Sequence, residues 1–184
     1  MIGRPISTCP TITAPRIRCS AYSSMIYIAL GSNLGDRVAN LRAALRALAP
    51  FVAVERVSPL YETEPAYVAD QPRFVNAVLA GTSMLRPHEL LGVLKQIEHA
   101  LGREAGLRYG PRLIDLDILL YGDLVLATAE LTIPHPRLAE RPFVLVPLAA
   151  LAPTLVPPGF TSSIADLSMR VSGTGDVIAQ IGRL

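Results

Sequence analysis

Several residue types are scarce in this 184-residue chain, and each scarcity argues against a class of protein. It contains no tryptophan, and aromatic residues make up only 5% of the sequence, unlike sheets that bind RNA through exposed aromatic side chains. Lys95 is the only lysine, and the formal net charge is +2, far from the basic balance of a dedicated nucleic-acid binder. No apolar run reaches the roughly 18 residues of a transmembrane helix. We therefore expect neither a nucleic-acid partner nor a membrane partner.

Cysteine is also scarce, since Cys9 and Cys19 are the only two, and both lie in the first 24 residues. This argues against a disulfide-built secreted fold and for a reducing, cytoplasmic compartment. Residues 1–24 are rich in Ser, Thr, Pro and Arg, contain no acid, and lack the apolar core of a secretory signal. We interpret them as a disordered or non-native extension before a single domain over residues 25–184. An organelle transit peptide is the alternative.

What the chain does have is apolar patterning, with 51% hydrophobic and 17% charged residues. The patterns predict strands over 25–30, 51–58, 74–82 and 114–121, and helices over 36–49 and 87–101. They also predict loops over 59–72 and 103–113, a short strand over 124–127, an apolar helical turn or two over 143–151, and a weakly patterned tail after Pro153. The order β-α-β-β-α-β is that of a ferredoxin-like unit. We predict an α+β fold with a mostly antiparallel sheet and helices packed on it in α/β/α layers.

Two acids stand out in the segment RYGPRLIDLDILL, residues 108–120. On a strand, Asp115 and Asp117 share one face while Leu116 and Ile118 point into the core. Two neighbouring carboxylates repel unless a positive group lies between them. Mg²⁺ suits such a pair, because it binds one or two carboxylates together with phosphates and waters. Pairing with arginines such as Arg112 on a solvent-facing strand is the alternative, and the spacing alone does not decide between them.

Arginines precede these acids in a glycine-containing loop. Arg103, Arg108 and Arg112 lie within it, together with Gly106 and Gly110. Mobile cations beside carboxylates that hold a metal would suit phosphoryl transfer, which requires positioning and neutralisation of moving charge. The chain has no G-x-x-x-x-G-K-[ST] motif, so this is not a P-loop protein.

Six blocks in this order resemble the 6-hydroxymethyl-7,8-dihydropterin pyrophosphokinases of folate biosynthesis. They are ALGSNLGDR, YETEP, QPRFVNAV, IEHALGR, RYGPRLIDLDILLYG and LTIPHPRLAERPFVLVPL, within residues 25–155. The resemblance implies transfer of the β,γ-pyrophosphoryl group of ATP to the pterin hydroxymethyl oxygen, which yields AMP and the pterin diphosphate. It also implies a monomer whose ligands are the small molecules ATP and the pterin.

The resemblance further implies roles for individual residues. Asp115 and Asp117 would hold two Mg²⁺ ions with ATP, and Arg103, Arg112 and Arg108 would be catalytic. The implied pterin contacts are Gly31, Thr63, Asn76, Tyr109 and Phe143. The implied ATP contacts are Lys95, Glu98, Ile118, Thr132, His135 and Arg141.

The chain departs from the common family pattern in places. Tyr109 stands where many members carry tryptophan, and Ala139 replaces a frequent histidine.

Two other functions stay open at this point. One is a non-catalytic ferredoxin-like module that binds RNA or a protein. The other is a pseudoenzyme that keeps the nucleotide site without turnover, although the intact Asp115, Asp117, Arg103 and Arg112 argue against it.

Overall fold

The computed structural model contains eight strands and four α-helices in the residues that it describes, which are 24–66, 68, 70–103, 110–171 and 175–184. The strands are β1 (Ser24–Ser32), β2 (Ala53–Val57), β3 (Leu60–Thr63), β4 (Phe74–Ser83), β5 (Asp115–Tyr121), β6 (Leu126–Ala127), β7 (Thr132–Ile133) and β8 (Val177–Gly182). The helices are α1 (Arg37–Leu48), α2 (Pro87–Ala100), α3 (Pro142–Leu151) and α4 (Ile164–Arg170). Ser24 already belongs to β1, one residue before the predicted domain boundary.

Six of these strands form one antiparallel sheet in the order β5-β1-β4-β3-β8, with β2 also paired to β4. The strands β2 and β3 follow the same edge of β4, so they act as two halves of one interrupted strand. Counted this way, the first 121 residues have the predicted β-α-β-β-α-β order, and the ferredoxin-like α+β prediction is confirmed.

The predicted loop over 59–72 is wrong in its first part, because β3 occupies it. Ser58 lies at the interruption between β2 and β3. Its N–H donates to the Val78 carbonyl at 2.9 Å, and its hydroxyl oxygen accepts from the Val78 N–H at 3.0 Å. The serine side chain thus supplies an acceptor where Pro59 breaks the strand. The pairing with β4 then resumes at Tyr61.

Apolar cores lie on both faces of the sheet, which confirms the α/β/α layers. Ile26, Ile28 and Leu30 of β1 point into one core, with the apolar faces of α1 and α2. Tyr27 points to the opposite face, which α3 covers. The alternation follows from the two-residue period of a strand. Each face of the central strands is therefore buried.

Local signals explain where the helices begin. The Asp36 carboxylate accepts from the Ala39 N–H at 3.0 Å and caps α1. Helix α2 begins with Pro87 at its first position, where the missing N–H costs nothing. Helix α3 begins likewise with Pro142, and it confirms the apolar helical segment predicted over 143–151.

The tail after Pro153 is more ordered than its pattern predicts. It contains α4 and β8, and β8 extends the sheet beside β3. Within the part of the chain that the structure describes, no helix combines the length and the apolar character needed to cross a bilayer.

Candidate active site

Three adjacent strands bring the predicted site residues into one row on the α3 face of the sheet. Gly31 of β1 pairs with Asp115 of β5 on one side and with Asn76 of β4 on the other. Two residues along, Ala29 lies opposite Asp117. Neighbouring strands are about 4.8 Å apart, so the Cα atoms of Asp115 and Asn76 lie about 10 Å from each other across Gly31.

This row forms the floor of a cavity of about 260 Å³. Most of the predicted site residues line it, namely Gly31, Thr63, Asn76, Lys95, Arg103, Arg112, Asp115, Asp117, His135, Arg141 and Phe143. Their positions in the sequence span more than a hundred residues, and the antiparallel register brings them together. The cavity therefore has a charged end over β5 and a mostly neutral end over β3 and β4.

Some predicted site residues lie elsewhere. Ile118 belongs to the apolar core on the α1 and α2 face, and Thr132 lies in β7, so neither lines the cavity. Their predicted ATP contacts stay predictions. Arg108 and Tyr109 lie outside the described residues, as do Gly106 and both cysteines.

At the charged end, arginines neutralise the two acids. The Asp115 Oδ1 atom accepts from Arg103 Nη1 and from Arg112 Nη1, each at 2.8 Å. The Asp117 Oδ2 atom lies 3.3 Å from Arg141 Nη1. The acids are about one-third exposed, with side-chain exposures of 28% and 32%. Two carboxylates on one face are thus tolerated because each is paired with a cation.

The pKa of Asp115 follows from two opposing effects. Burial acts to raise it, because a low-dielectric environment disfavours the charged form. The guanidiniums of Arg112 and Arg103 act against burial and prevail, so the pKa lies below its usual value of 3.8. Asp115 is therefore an anion at neutral pH.

Glu98 of α2 lies behind this pair and is almost fully buried, at 1% exposure. Its Oε1 accepts from the Leu116 N–H at 2.7 Å and contacts Arg103 Nη1, and its Oε2 accepts from Lys95 at 3.0 Å. Burial raises the pKa of Glu98, and Lys95 is the largest opposing influence. Because it touches Arg103, Glu98 joins α2 to the charged end of the cavity.

His135 lies between two hydrogen-bond donors. Arg141 Nη1 is 3.2 Å from its Nε2, and the Arg137 N–H donates to its Nδ1 at 3.1 Å. A protonated imidazole offers only donors, so this arrangement disfavours it. Burial, followed by the charge of Arg141, lowers the pKa of His135 to about 4. The imidazole is therefore neutral at pH 7.

At the neutral end, Asn76 donates from Nδ2 to the Thr63 hydroxyl at 2.7 Å, and both side chains are buried. A Cβ atom on Gly31 would lie 2.8 Å from Asn76 Oδ1, so this position requires glycine. Phe74 and Phe143 add aromatic rings to the cavity wall. A flat heterocycle with donors and acceptors along its edge would suit this end.

The buried Asn33 is the main residue of the site that sequence reasoning missed. Its Oδ1 accepts from the Arg112 N–H at 2.7 Å, and its Nδ2 donates to Gln71 Oε1 and to the Pro72 carbonyl, each at 3.1 Å. It thus ties the arginine segment to the loop before β4. Asn33 itself does not line the cavity; the lining residues that were not predicted are Ala29, Leu30, Glu64, Ala66, Gln71, Phe74 and Val144.

The charged end offers a divalent metal only part of its ligands, and a bound substrate or water would supply the rest. Asp115 and Asp117 both reach the cavity. Across the described ranges, no group of three or more His, Cys, Asp or Glu side chains is arranged to hold a metal. A metal here therefore requires ligands from a substrate or from water. Mg²⁺ binds in this way, through one or two carboxylates plus phosphates.

All residues that line the cavity belong to a stretch of the chain that is similar to known proteins. The model of the family 7,8-dihydro-6-hydroxymethylpterin-pyrophosphokinase (HPPK) matches residues 27–153. The 2-amino-4-hydroxy-6-hydroxymethyldihydropteridine pyrophosphokinase of Bacillus subtilis is 47% identical over 131 residues, which are 70% of this chain and 78% of that protein. The protein of the same name from Pseudomonas aeruginosa is 48% identical over 132 residues, or 71% and 82%.

Longer relatives are also similar to the chain. A folate synthesis bifunctional protein of Arabidopsis thaliana is 56% identical over 131 residues, which are 70% of this chain but 27% of that protein. The chain therefore spans about a quarter of the length of that bifunctional relative. Among solved structures, an HPPK-DHPS in complex with substrates has a TM-score of 0.68 at 14% identity, covering 80% of this chain and 43% of that one. At such identity the likeness concerns the fold alone.

Proposed function

This chain belongs to the 7,8-dihydro-6-hydroxymethylpterin-pyrophosphokinase family, and from that membership we propose that it transfers the pyrophosphoryl group of ATP to 6-hydroxymethyl-7,8-dihydropterin. The products are AMP and the pterin diphosphate, within folate synthesis. The composition of the cavity supports the proposal independently of the family. A single cavity joins two paired carboxylates and three arginines at one end to a buried amide and two aromatic rings at the other. A triphosphate suits the first end and a pterin the second.

The charged end binds the triphosphate in this proposal. Asp115 and Asp117 would hold two Mg²⁺ ions, which would neutralise phosphate charge. Arg103, Arg112 and Arg141 now donate to these carboxylates. Phosphate oxygens are acceptors of the same kind, so the same guanidiniums would donate to the phosphates of a bound triphosphate. Lys95 and His135 make further contacts with the nucleotide, and Arg108 is a third catalytic arginine in the loop.

The neutral end orients the pterin. The Asn76 amide meets donors and acceptors on the ring edge, and Phe143 stacks on the ring face. The hydroxymethyl oxygen then attacks the β-phosphorus, a new P–O bond forms, and the bond to the α-phosphate oxygen breaks to release AMP. The hydroxyl proton passes to solvent. The protein acts by positioning and by charge stabilisation, with no covalent enzyme intermediate.

The decisive experiment is identification of the nucleotide product. Purified protein is incubated with the pterin alcohol, ATP and Mg²⁺, and the nucleotides are separated by chromatography. We expect AMP and the pterin diphosphate in equal amounts. Formation of ADP would overturn the pyrophosphoryl assignment, and no turnover with intact binding of both substrates would indicate a pseudoenzyme.

Binding of an Mg²⁺-nucleotide analogue tests the metal site separately. In the Asp117→Ala variant we expect affinity for the analogue to fall in the presence of Mg²⁺ and to change little in EDTA. Equal affinity of both proteins under both conditions would mean that the carboxylates do not hold the metal. Thermal unfolding of both proteins controls for loss of fold.

We also propose that the protein acts in the cytoplasm as a monomer. Two cysteines confined to the first 24 residues suit a reducing compartment, whereas two similar plant proteins are named mitochondrial. Fluorescent fusions of the full chain and of a version that begins at Met25 test the location. Light scattering after gel filtration tests the oligomeric state.

A further inference from the structure

The last strand of the chain lies outside residues 27–153, the range that the family model matches, yet it is joined to the neutral end of the cavity. Strand β8 adds to the edge of β3, with Val177 opposite Thr63. Just before β8, the Asp176 carbonyl accepts from the Glu64 N–H at 3.1 Å. Thr63 and Glu64 both line the cavity. The segment that leads into β8 therefore supports one wall of the site.

Gly175, just before Asp176, lies against the cavity wall. A Cβ atom on Gly175 would lie 2.5 Å from Phe143 Cδ1, 3.0 Å from Phe143 Cε1 and 3.1 Å from Ala66 Cβ. The first distance is shorter than real Cβ contacts allow, so the backbone of Gly175 packs directly against the Phe143 ring. Gly175 is buried and has a φ of +83°, which glycine adopts without cost. Two independent features thus require glycine here.

Phe143 is confined on its other sides as well. It is the second residue of α3, directly after Pro142 at the helix start. The Arg141 guanidinium carbon lies 5.6 Å from its ring centroid. To make room for a new Cβ atom, the ring would leave its rotamer or displace the start of α3. Both movements change the surface that Phe143 presents to the cavity.

We propose that Gly175 is a positioning residue for the pterin, because its backbone fixes the orientation of the Phe143 ring. This inference rests on the proposed function, since it assigns Phe143 to the pterin. The C-terminal segment therefore contributes to substrate recognition. Residues after position 153, beyond the range that the family model matches, set the depth and angle of the Phe143 ring in the cavity.

The test compares Gly175→Ala with the matched control Gly159→Ala. Gly159 has a similar φ of +79°, but a Cβ atom there would meet nothing within 4 Å. Both variants therefore strain the backbone alike, and only one crowds Phe143. Calorimetry measures affinity for the pterin substrate and, separately, for an Mg²⁺-ATP analogue, and melting temperatures are recorded. We expect Gly175→Ala to weaken pterin binding by about tenfold with analogue affinity within about twofold.

The control should bind both ligands like the wild type. Equal pterin affinity of the two variants would overturn the inference, and so would parallel loss of both ligands in Gly175→Ala. If Gly175→Ala does not fold, Gly175→Asn replaces it, because asparagine tolerates a positive φ and still carries a Cβ atom. In a Phe143→Leu background the effect of the Gly175 change should largely disappear. Failure of the wild type to bind the pterin would instead refute the proposed function.

Discussion

At the residue scale, Asp115 and Asp117 look alike in the sequence but have different surroundings. Asp115 accepts from two guanidiniums, and one of them, Arg103, also contacts the buried Glu98. Asp117 pairs with Arg141 alone among the arginines that the structure describes. Asp115 is therefore part of a network of charges, whereas Asp117 has one ion pair within the described ranges. Removal of either charge would weaken the proposed metal site, but only the removal of Asp115 would also disturb the network.

We predict that Asp115→Asn and Asp117→Asn both lower kcat/KM by about two orders of magnitude or more, because each removes a ligand charge at the metal. Only Asp115→Asn should also destabilise the fold, by about 1–2 kcal/mol, since it removes the negative charge that Arg103 and Arg112 share. Steady-state kinetics and urea unfolding measure the two effects. Equal unfolding free energies of the two variants would contradict the distinction.

Gly31 provides a second test at this scale. In Gly31→Ala the new Cβ atom would lie 2.8 Å from Asn76 Oδ1, which forces the amide from its bond with Thr63. We expect the KM for the pterin to rise about tenfold, the equivalent of about 1.4 kcal/mol, while the KM for ATP stays nearly constant. In an Asn76→Ala background the same change should cost much less. An unchanged pterin KM in Gly31→Ala would show that the amide does not orient the substrate.

How far the site could be predicted depends on the kind of contact. The shared face of Asp115 and Asp117 follows from the strand period alone. The meeting of Gly31 with Asn76 needs the register between two strands, which the sequence pattern does not contain. Asn33 escaped prediction because its partner Arg112 is 79 positions away along the chain. The order of the residues does not show such long-range hydrogen bonds.

At the element scale, strongly periodic segments were predictable and interrupted or exposed ones were not. The strand β3 has only four residues and follows Pro59, so its pattern is too short to recognise. The strand β8 is mostly exposed on both faces, and therefore lacks apolar alternation. Helix α4 did carry a signal that was overlooked, since Ser163 and Asp166 form a capping box.

Gly81 and Gly92 both have ordinary backbone conformations, but only Gly81 is crowded by its neighbours. Their alanine variants therefore test packing and helix propensity separately. In Gly81→Ala the new Cβ atom would lie 2.6 Å from the Ala53 carbonyl oxygen, where the backbone of β2 approaches β4. We expect a loss of about 2–3 kcal/mol in the free energy of unfolding, as in overpacked cores.

Gly92 lies exposed within α2, and a Cβ atom there would meet nothing within 4 Å. We expect Gly92→Ala to stabilise the protein by about 0.5–1 kcal/mol, because alanine loses less backbone entropy in a helix. Urea unfolding of both glycine variants checks the pair of predictions. A destabilised Gly92→Ala protein would show that α2 does not have the regular, open surface described here.

At the scale of the whole molecule, the site lies where three parts of the fold meet on one face of the sheet. The strands supply the carboxylates and the amide, α3 supplies Phe143, and the segment before it supplies His135 and Arg141. The His135 N–H donates to the Leu119 carbonyl at 2.9 Å, so its backbone is bound to β5. Protonation of His135 therefore places a new charge between the sheet and the segment that leads into α3.

The stability of the whole protein should consequently depend on pH between about 4 and 6.5. Burial and the charge of Arg141 lower the pKa of His135 to about 4, from 6.5. The unfolded chain then binds this proton more readily, so stability is lost as the pH falls through this range. Arg137 adds to the lowering, while Asp117 and Asp115 oppose it. The shift corresponds to a loss of about 3 kcal/mol between pH 7 and pH 4.

The measurement is urea unfolding of the wild type and of His135→Asn at several pH values, in EDTA so that no metal affects the acids. We expect the wild type to lose about 3 kcal/mol more than the variant on acidification from pH 7 to pH 4. The contribution of Asp115, whose lowered pKa acts below 3.8, falls outside this range. The contribution of Glu98, whose raised pKa gives the opposite slope, is common to both proteins and cancels in the difference. Parallel pH profiles would show that His135 accepts its proton as readily in the folded protein as in the unfolded chain.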